Sequence, residues 1–137
     1  MPYFRLFYHF VWATKDRLPL ITTGNREPIY GCIASKSKEL NAIVHALNGM
    51  DDHVHLVATV PPNVTLSNFI GQVKGSSSHL ANNLNASYGQ TFAWQTEYGV
   101  ISISEMHLSV VVRYVHNQQL HHAQNKLNDS LETSTAR

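Results

Sequence analysis

Apolar and polar residues follow two different periods along this chain, and their order predicts a mixed fold. Stretches rich in aromatic and β-branched residues are typical of strands, because such side chains suit a half-buried sheet. The pair Asp51-Asp52 separates two of these stretches and is typical of a hairpin turn. The predicted strands are residues 3–14, 42–50, 53–60, 91–95 and 99–104.

Helical periodicity lies between and after these strands. Leu66, Phe69, Ile70 and Val73 recur near every 3.6 positions, which predicts a helix of about 20 residues from Thr65 onward. The other predicted helices are residues 25–39 and 106–124.

The predicted order is β-α-β-β-α-β, with one extra strand and a final helix. This order matches the split βαβ, ferredoxin-like plan, an α+β fold with one antiparallel sheet and helices on one face. From Asn125 onward the sequence is polar and lacks periodicity. We therefore expect one folded domain over residues 1–124 and a flexible polar tail over residues 125–137.

Composition adds little that is specific to a function. The chain has 137 residues, of which 43% are hydrophobic, enough to bury the core of one domain. The net charge is +1, weak evidence for a nucleic-acid partner. Residues 1–38 carry six basic and two acidic side chains, so a local basic patch and an ordinary solvated surface both remain open.

The expected cellular compartment follows from features that the sequence lacks. The N-terminal residues have no basic region followed by an apolar run, and no apolar stretch approaches the ~18 residues of a membrane helix. Cys32 is the single cysteine, so no internal disulfide can form. We expect a cytoplasmic protein that does not contact membranes.

The strongest candidate chemistry is a pair of histidines on the third predicted strand. His53 and His55 are two residues apart, so their side chains point to the same face and can converge on one divalent metal. The alternative is a pair of polar residues on a solvated face, with Val54 and Leu56 buried on the other.

A second pair lies on the last predicted helix. Tyr114 and Gln118 are four residues apart and share one helix face. They would add a nucleophilic phenol and an amide oxygen ligand, and a mixed His and Gln set suits Mn²⁺ better than Mg²⁺. Tyr114 could instead be an aromatic residue at the edge of the core. Rival ligands and rival phenols are His116, His121, His122, Tyr88 and Tyr98.

These motifs together resemble a known family. His53-Val54-His55 is similar to the His-hydrophobic-His motif of the HUH endonucleases, and the segment from Tyr114 to Gln118 resembles the tyrosine helix of the single-tyrosine HUH transposases. Further similar segments are Tyr8–Lys15, Trp94-Gln95 and Tyr98–Ser104. The likeness runs from about residue 3 to about residue 124.

The resemblance implies a DNA transposase that cleaves and rejoins single-stranded DNA. His53, His55 and Gln118 would hold a divalent ion, Mg²⁺ or Mn²⁺, and Tyr114 would attack the phosphate to leave a 5′-phosphotyrosine. The family acts as a homodimer on DNA hairpins at element ends, and it can pair the tyrosine of one subunit with the histidines of the other. We expect residues 3–12 and 99–104 to form the dimer contact.

Two other functions remain open from the residues. One is a nucleic-acid-binding module of the same fold that has lost catalysis. The other is a metal-dependent hydrolase that uses only the two histidines, with water as the nucleophile.

Overall fold

The computed structural model describes residues 3–84, 91–123 and 128–134. It contains four strands: β1 (Phe7–Ala13), β2 (Ile43–Gly49), β3 (His53–Thr59) and β4 (Gly99–Ile103). Its α-helices are α1 (Arg26–Glu39), α2 (Leu66–Leu84), α3 (Leu108–His116), α4 (Gln118–Ala123) and α5 (Asp129–Glu132). Short 3₁₀ turns lie at Lys15–Arg17 and Glu105–His107.

The strands form one sheet in the order β2-β3-β1-β4, and every neighbouring pair is antiparallel. With α1 between β1 and β2, and α2 between β3 and β4, this is the ferredoxin-like arrangement. The predicted fold class is therefore confirmed. Strands β1 and β3 are central, and their registry places Val11 opposite His55 and Ala13 opposite His53.

Successive side chains of β3 point to opposite faces of the sheet, and both faces are covered. Val54, Leu56 and Ala58 join the main core with Phe10 and Trp12 of β1. Helices α1 and α2 complete this core with Ile29, Ile33, Phe69, Ile70, Val73 and Ala81.

The opposite face carries the C-terminal helices. Val111 and Val115 of α3 pack on Ala46 and Val57, and Leu131 of α5 joins this smaller cluster. His53 and His55 lie on the same face as Val57, so they are buried beneath these helices. The two helices of the βαβ units thus share one face, and the predicted tyrosine helix covers the other.

The predicted strand at residues 91–95 is wrong. Only Trp94 makes a β-bridge, to Thr14, with backbone hydrogen bonds on either side from Lys15 N to Ala93 O and from Gln95 N to Ala13 O. The segment runs alongside the chain just beyond the end of β1, where too few residues pair to form a strand.

The predicted helix over residues 106–124 is interrupted. Helix α3 ends at His116, and Asn117 leaves the helical conformation before α4 begins. The side-chain amide of Asn48 donates to the carbonyl oxygens of Val115 and His116, both at 3.1 Å. These are carbonyls that a helix end leaves without an intrahelical donor, so β2 stabilises the break.

Within the expected polar tail, the structure describes residues 128–134. Residues Asp129–Glu132 form α5, and Leu131 and Ser134 are buried. Among the described residues, no helix combines the length and the apolar character needed to cross a membrane.

Candidate functional site

The two predicted histidine ligands are buried at the start of β3, and each ring is held through its Nδ1 atom. His53 Nδ1 lies 2.7 Å from Asp52 Oδ1, and His55 Nδ1 lies 2.9 Å from Nε2 of the buried His9. A ligating histidine usually engages its second nitrogen in this way, which fixes the ring and its tautomer. The Nε2 atoms of both histidines are thus directed toward the C-terminal helices.

The break after His116 does not separate the second predicted pair. Gln118 is fully buried, and its Oε1 lies 3.2 Å from His53 Nε2. The Tyr114 ring packs edge-on against His55 with 6.3 Å between ring centroids. The structure therefore brings His53, His55, Tyr114 and Gln118 together within one chain.

Two residues of the site were not in the predicted set. Glu132 Oε1 lies 3.1 Å from His55 Nε2 and 3.4 Å from His53 Nε2. His122 Nε2 lies 2.9 Å from Gln118 Oε1 and 3.7 Å from Glu132 Oε1. His122 was a rival ligand in the sequence, but Glu132 lies in a polar stretch without periodicity that gave no signal of its position.

The other oxygen of Glu132 connects to the predicted nucleophile. Glu132 Oε2 accepts hydrogen bonds from the Tyr114 hydroxyl and, at 3.0 Å, from Gln118 Nε2. The Tyr114 oxygen also accepts from the backbone N–H of Asn128 at 3.1 Å. The phenol is therefore fixed at the edge of the histidine cluster.

Burial and charge pull the ionisable groups of the site in different directions. Burial disfavours the Glu132 carboxylate, but hydrogen bonds from His53 and His55 outweigh it and hold the pKa of Glu132 well below its usual value. Burial opposes protonation of His53 as well, yet its bonds to Glu132 and Asp52 raise the pKa of that ring. Burial lowers the pKa of His55. For Tyr114, burial together with the Glu132 carboxylate raises the pKa to about 12.

The rival residues are distributed differently. His116 is exposed, and Tyr98 packs against the main core. Since that core lies on the face of the sheet opposite His53 and His55, Tyr98 is remote from the histidines. Tyr88 and the side chain of His121 lie outside the described residues.

The donor set fits a divalent metal ion. The ligand atoms of His53, His122 and Glu132 all lie within 4.8 Å of one another, so this group could hold such an ion. Imidazole nitrogen with carboxylate and amide oxygen is a ligand mixture suited to ions such as Mn²⁺. The group shares His53 with the predicted set and adds two residues to it.

The family of the chain follows from a match to the model described as "Transposase IS200 like", which covers residues 2–118. The chain belongs to this family of transposases, and the resemblance seen in the sequence is confirmed.

Individual relatives agree with this family. The chain is 24% identical to the ISDra2 transposase of Deinococcus radiodurans over 130 residues, 84% of this chain and 85% of that protein. It is 28% identical over 71 residues to the transposase of insertion sequence IS200 from Salmonella typhimurium, 52% of this chain and 47% of that protein.

Two solved structures share the fold. A crystal structure of a Deinococcus radiodurans protein assigned as a transposase matches with a TM-score of 0.69 and 24% identity, over 86% of this chain and 95% of that one. The REP-associated tyrosine transposase, solved bound to a REP hairpin, matches with a TM-score of 0.65 and 18% identity, over 89% of this chain and 74% of that one.

Proposed function

We propose that this transposase cleaves and rejoins single-stranded DNA through a covalent bond between Tyr114 and a 5′-phosphate. The observation that carries the proposal is the assembly of a phenol, two imidazoles and an amide in one buried cluster: His55 lies edge-on to Tyr114, and His53 contacts Gln118. Phosphoryl transfer needs a placed nucleophile and positive charge near the phosphate oxygens, and this cluster offers a phenol beside ligands for a divalent ion.

In the cleavage step, the Tyr114 oxygen forms a bond to phosphorus. The bond from phosphorus to the 3′-oxygen breaks on the opposite side, and the leaving oxygen takes up a proton while the phenol loses one. The products are a 5′-phosphotyrosine and a free 3′-hydroxyl. Rejoining reverses these changes with a new 3′-hydroxyl, so the energy of the phosphodiester is kept and no nucleotide cofactor is required.

His53, His55 and Gln118 would hold the divalent ion, Mg²⁺ or Mn²⁺. When bound, the ion supplies Lewis-acid stabilisation of the phosphate oxygens and orients the phosphate. Asp52 and His9 support this role, because each engages the Nδ1 atom of one histidine and leaves its Nε2 atom for coordination. The raised pKa of Tyr114 keeps the phenol neutral in the free protein, so its proton must leave during the attack.

The proposed substrate is a DNA hairpin at the end of a mobile element. One structural relative, the REP-associated tyrosine transposase, was solved bound to a REP hairpin. Among the described residues Lys15, Lys38 and Arg113 are exposed, whereas Arg5 pairs with Glu105 and Lys36 with Glu39. Because the net charge is only +1, we expect hairpin shape and unpaired bases to contribute to recognition beside phosphate contacts.

The proposed assembly remains a homodimer, and of the two expected contact segments the one at residues 99–104 has an open strand edge. Strand β1 pairs with β3 on one side and β4 on the other, so it has no free edge for a partner. Strand β4 is an edge strand and carries the exposed Ile101. Because an open edge invites pairing, β4 is the strand through which two copies would join their sheets.

The decisive experiment is covalent capture of single-stranded DNA. Wild-type protein with Mn²⁺ or Mg²⁺ should form an adduct at the DNA 5′ end, and a chelator should abolish it. Tyr114→Phe should give no adduct with an unchanged fold, because it removes one hydroxyl and almost no volume. Tyr98→Phe serves as the matched control and should keep full activity.

The same experiment separates the alternatives. A binding module without catalysis would retain DNA and form no adduct with either protein. A hydrolase that uses water would cleave DNA without an adduct and would tolerate Tyr114→Phe. An adduct that persists in Tyr114→Phe would refute the proposed nucleophile.

A further inference from the structure

The central carboxylate of the site lies outside the residues that match the family model. Glu132 belongs to α5, whereas the family model ends at residue 118. Its side chain is nevertheless the group that touches most of the site: it contacts His53, His55, Tyr114 and Gln118. A residue so placed has a role that the family match does not define.

We propose that Glu132 is a further protein ligand of the divalent ion at His53 and His55. This inference rests on the proposed function, since it concerns the same metal. The Oε1 atom of Glu132 is the common neighbour of three imidazole nitrogens, at 3.1 Å from His55, 3.4 Å from His53 and 3.7 Å from His122.

The separations from His55 and His53 match those of atoms that share one ion, whereas His122 lies farther away. With metal–ligand bonds of about 2.1 Å, adjacent ligand atoms lie about 3.0 Å apart in an octahedron and about 3.4 Å apart in a tetrahedron. The contact of Gln118 Oε1 with His53 Nε2, at 3.2 Å, falls in the same range.

The charge of Glu132 suits a site that must also accept phosphate. Two neutral imidazoles and one amide leave the full charge of a divalent ion uncompensated, and one carboxylate halves it. The ion then remains positive toward the DNA phosphate. An anionic oxygen ligand also favours Mn²⁺ and Mg²⁺ over softer metals.

The second oxygen gives Glu132 a positioning effect on the nucleophile. Oε2 accepts the Tyr114 hydroxyl and Gln118 Nε2, while Oε1 faces the histidines. One carboxylate therefore ties the phenol to the metal ligands. Glu132, Tyr114 and the two histidines belong to the same chain. These contacts therefore hold α3 over the histidines of its own chain.

The residues on both sides of Glu132 pack against the rest of the fold. On one side of Glu132, Leu131 is buried with Val111 and Val115. On the other side, Thr133 lies against Gly99 of β4. A Cβ atom at Gly99 would lie 2.1 Å from the carbonyl oxygen of Thr133, a distance that only the absence of a side chain permits. The segment around Glu132 therefore packs so closely on the sheet that one methyl group added at Gly99 would displace it.

The test is calorimetric titration of Mn²⁺ into the metal-free protein of residues 1–137 in the absence of DNA. Glu132→Gln keeps the size and removes the charge, and we expect its Kd for Mn²⁺ to rise at least tenfold. Loss of an outer partner already costs about 10–100-fold in metal affinity, so loss of a ligand should not cost less. Glu97→Gln, the same change at an exposed position, is the matched control and should bind as wild type does.

A second variant moves the carboxylate without altering it. Gly99→Ala should displace Thr133 and with it Glu132, so its Kd for Mn²⁺ should rise in the same direction as that of Glu132→Gln. Circular dichroism and thermal unfolding would establish that each variant is folded at the titration temperature. For a variant that is not folded, titration of Glu132→Ala replaces it.

Unchanged affinity in Glu132→Gln, within twofold of wild type, would overturn the proposal. Tighter binding would overturn it too, because it would mean that the carboxylate competes with the ion for the histidines. Neither result would touch the proposed function, provided that His53→Ala still loses Mn²⁺. If wild-type protein bound no Mn²⁺ and formed its adduct in chelator, the metal of the proposed function would fail instead.

Discussion

The two faces of the sheet are built from the same strands but differ in chemistry. On the face toward α1 and α2, β3 contributes Val54, Leu56 and Ala58 to an apolar core. On the face toward α3, it contributes His53 and His55 to a cluster of hydrogen-bonded polar groups, with only a small apolar patch around Val57. Both sets of side chains are buried to a similar degree.

This difference separates stability from function along a single strand. Apolar burial contributes about 25 cal/mol per Å², and it acts in every direction, so the first face can stabilise the fold without precise geometry. Buried polar groups are costly unless each finds a partner, so the second face depends on exact pairing. His9, with a pKa lowered by burial to about 3, stays neutral there and bonds to His55.

Substitution of the adjacent residues His55 and Leu56 should expose this separation most strongly. His55→Ala removes a proposed metal ligand, so formation of the DNA adduct should fall by orders of magnitude per folded molecule. Leu56→Ala leaves the ligands in place, so the adduct formed per folded molecule should stay near the wild-type value. The measurement is adduct yield at a temperature where both proteins are folded.

The same two variants should rank in the opposite order in the free energy of unfolding, because apolar volume dominates stability. Leu56→Ala should cost about 2–5 kcal/mol in the free energy of unfolding, as large-to-small changes in buried cores do. The value comes from denaturant unfolding followed by circular dichroism. A Leu56→Ala protein that is stable but unable to form adducts would show that the two faces are not separable.

The next prediction concerns whether Tyr114 acts with the histidines of its own chain or with those of a partner subunit. Here Tyr114 reaches His55 of its own chain. We expect that mixing Tyr114→Phe with the double variant His53→Ala/His55→Ala restores no adduct, since neither chain holds both the nucleophile and the ligands. The assay is adduct formation after subunits have been allowed to exchange.

A mixture of wild type with Tyr114→Phe is the control, and it should retain the adduct in proportion to the wild-type chain. Regained activity in the first mixture would mean that the partner subunit supplies the tyrosine, as the family resemblance allows. The helix that covers the polar face would then come from a second copy of the chain.

The contrast between the faces also explains what the sequence could predict. Strand-like composition located β1, β2, β3 and β4, and helical periodicity located α1 and α2, because packing against one core imposes a period on a helix. The pairs His53 with His55 and Tyr114 with Gln118 could be found because each sits within one regular element, at a spacing that defines a face.

What could not be predicted depends on contacts between distant segments. Glu132 reaches the histidines through the packing of α5, and nothing in its neighbourhood repeats. The interruption at Asn117 depends on Asn48, a residue of β2 whose side chain bonds the end of α3. The segment at residues 91–95 has strand-like composition, but Trp94 meets β1 only beyond its end.

The smallest expected effects come from two glycines, one beside the polar face and one in a helix that covers the apolar face. Gly49 ends β2 beside the histidine strand, and a Cβ atom there would lie 2.2 Å from the carbonyl oxygen of His53. Gly49→Ala should therefore shift the backbone of a proposed ligand and cost about 1–3 kcal/mol, the usual effect of overpacking. Gly71 lies on the exposed side of α2, where a Cβ atom would meet nothing within 4 Å.

Gly71→Ala should instead stabilise the protein by about 0.5–1 kcal/mol, because alanine loses less conformational freedom than glycine in a helix. Both values come from denaturant unfolding, and Mn²⁺ affinity should fall for Gly49→Ala alone. The pair is matched, since each variant adds the same single methyl group. Equal stability changes would indicate that the turn before His53 has room to adjust, and that the polar face tolerates displacement better than its dense hydrogen bonding implies.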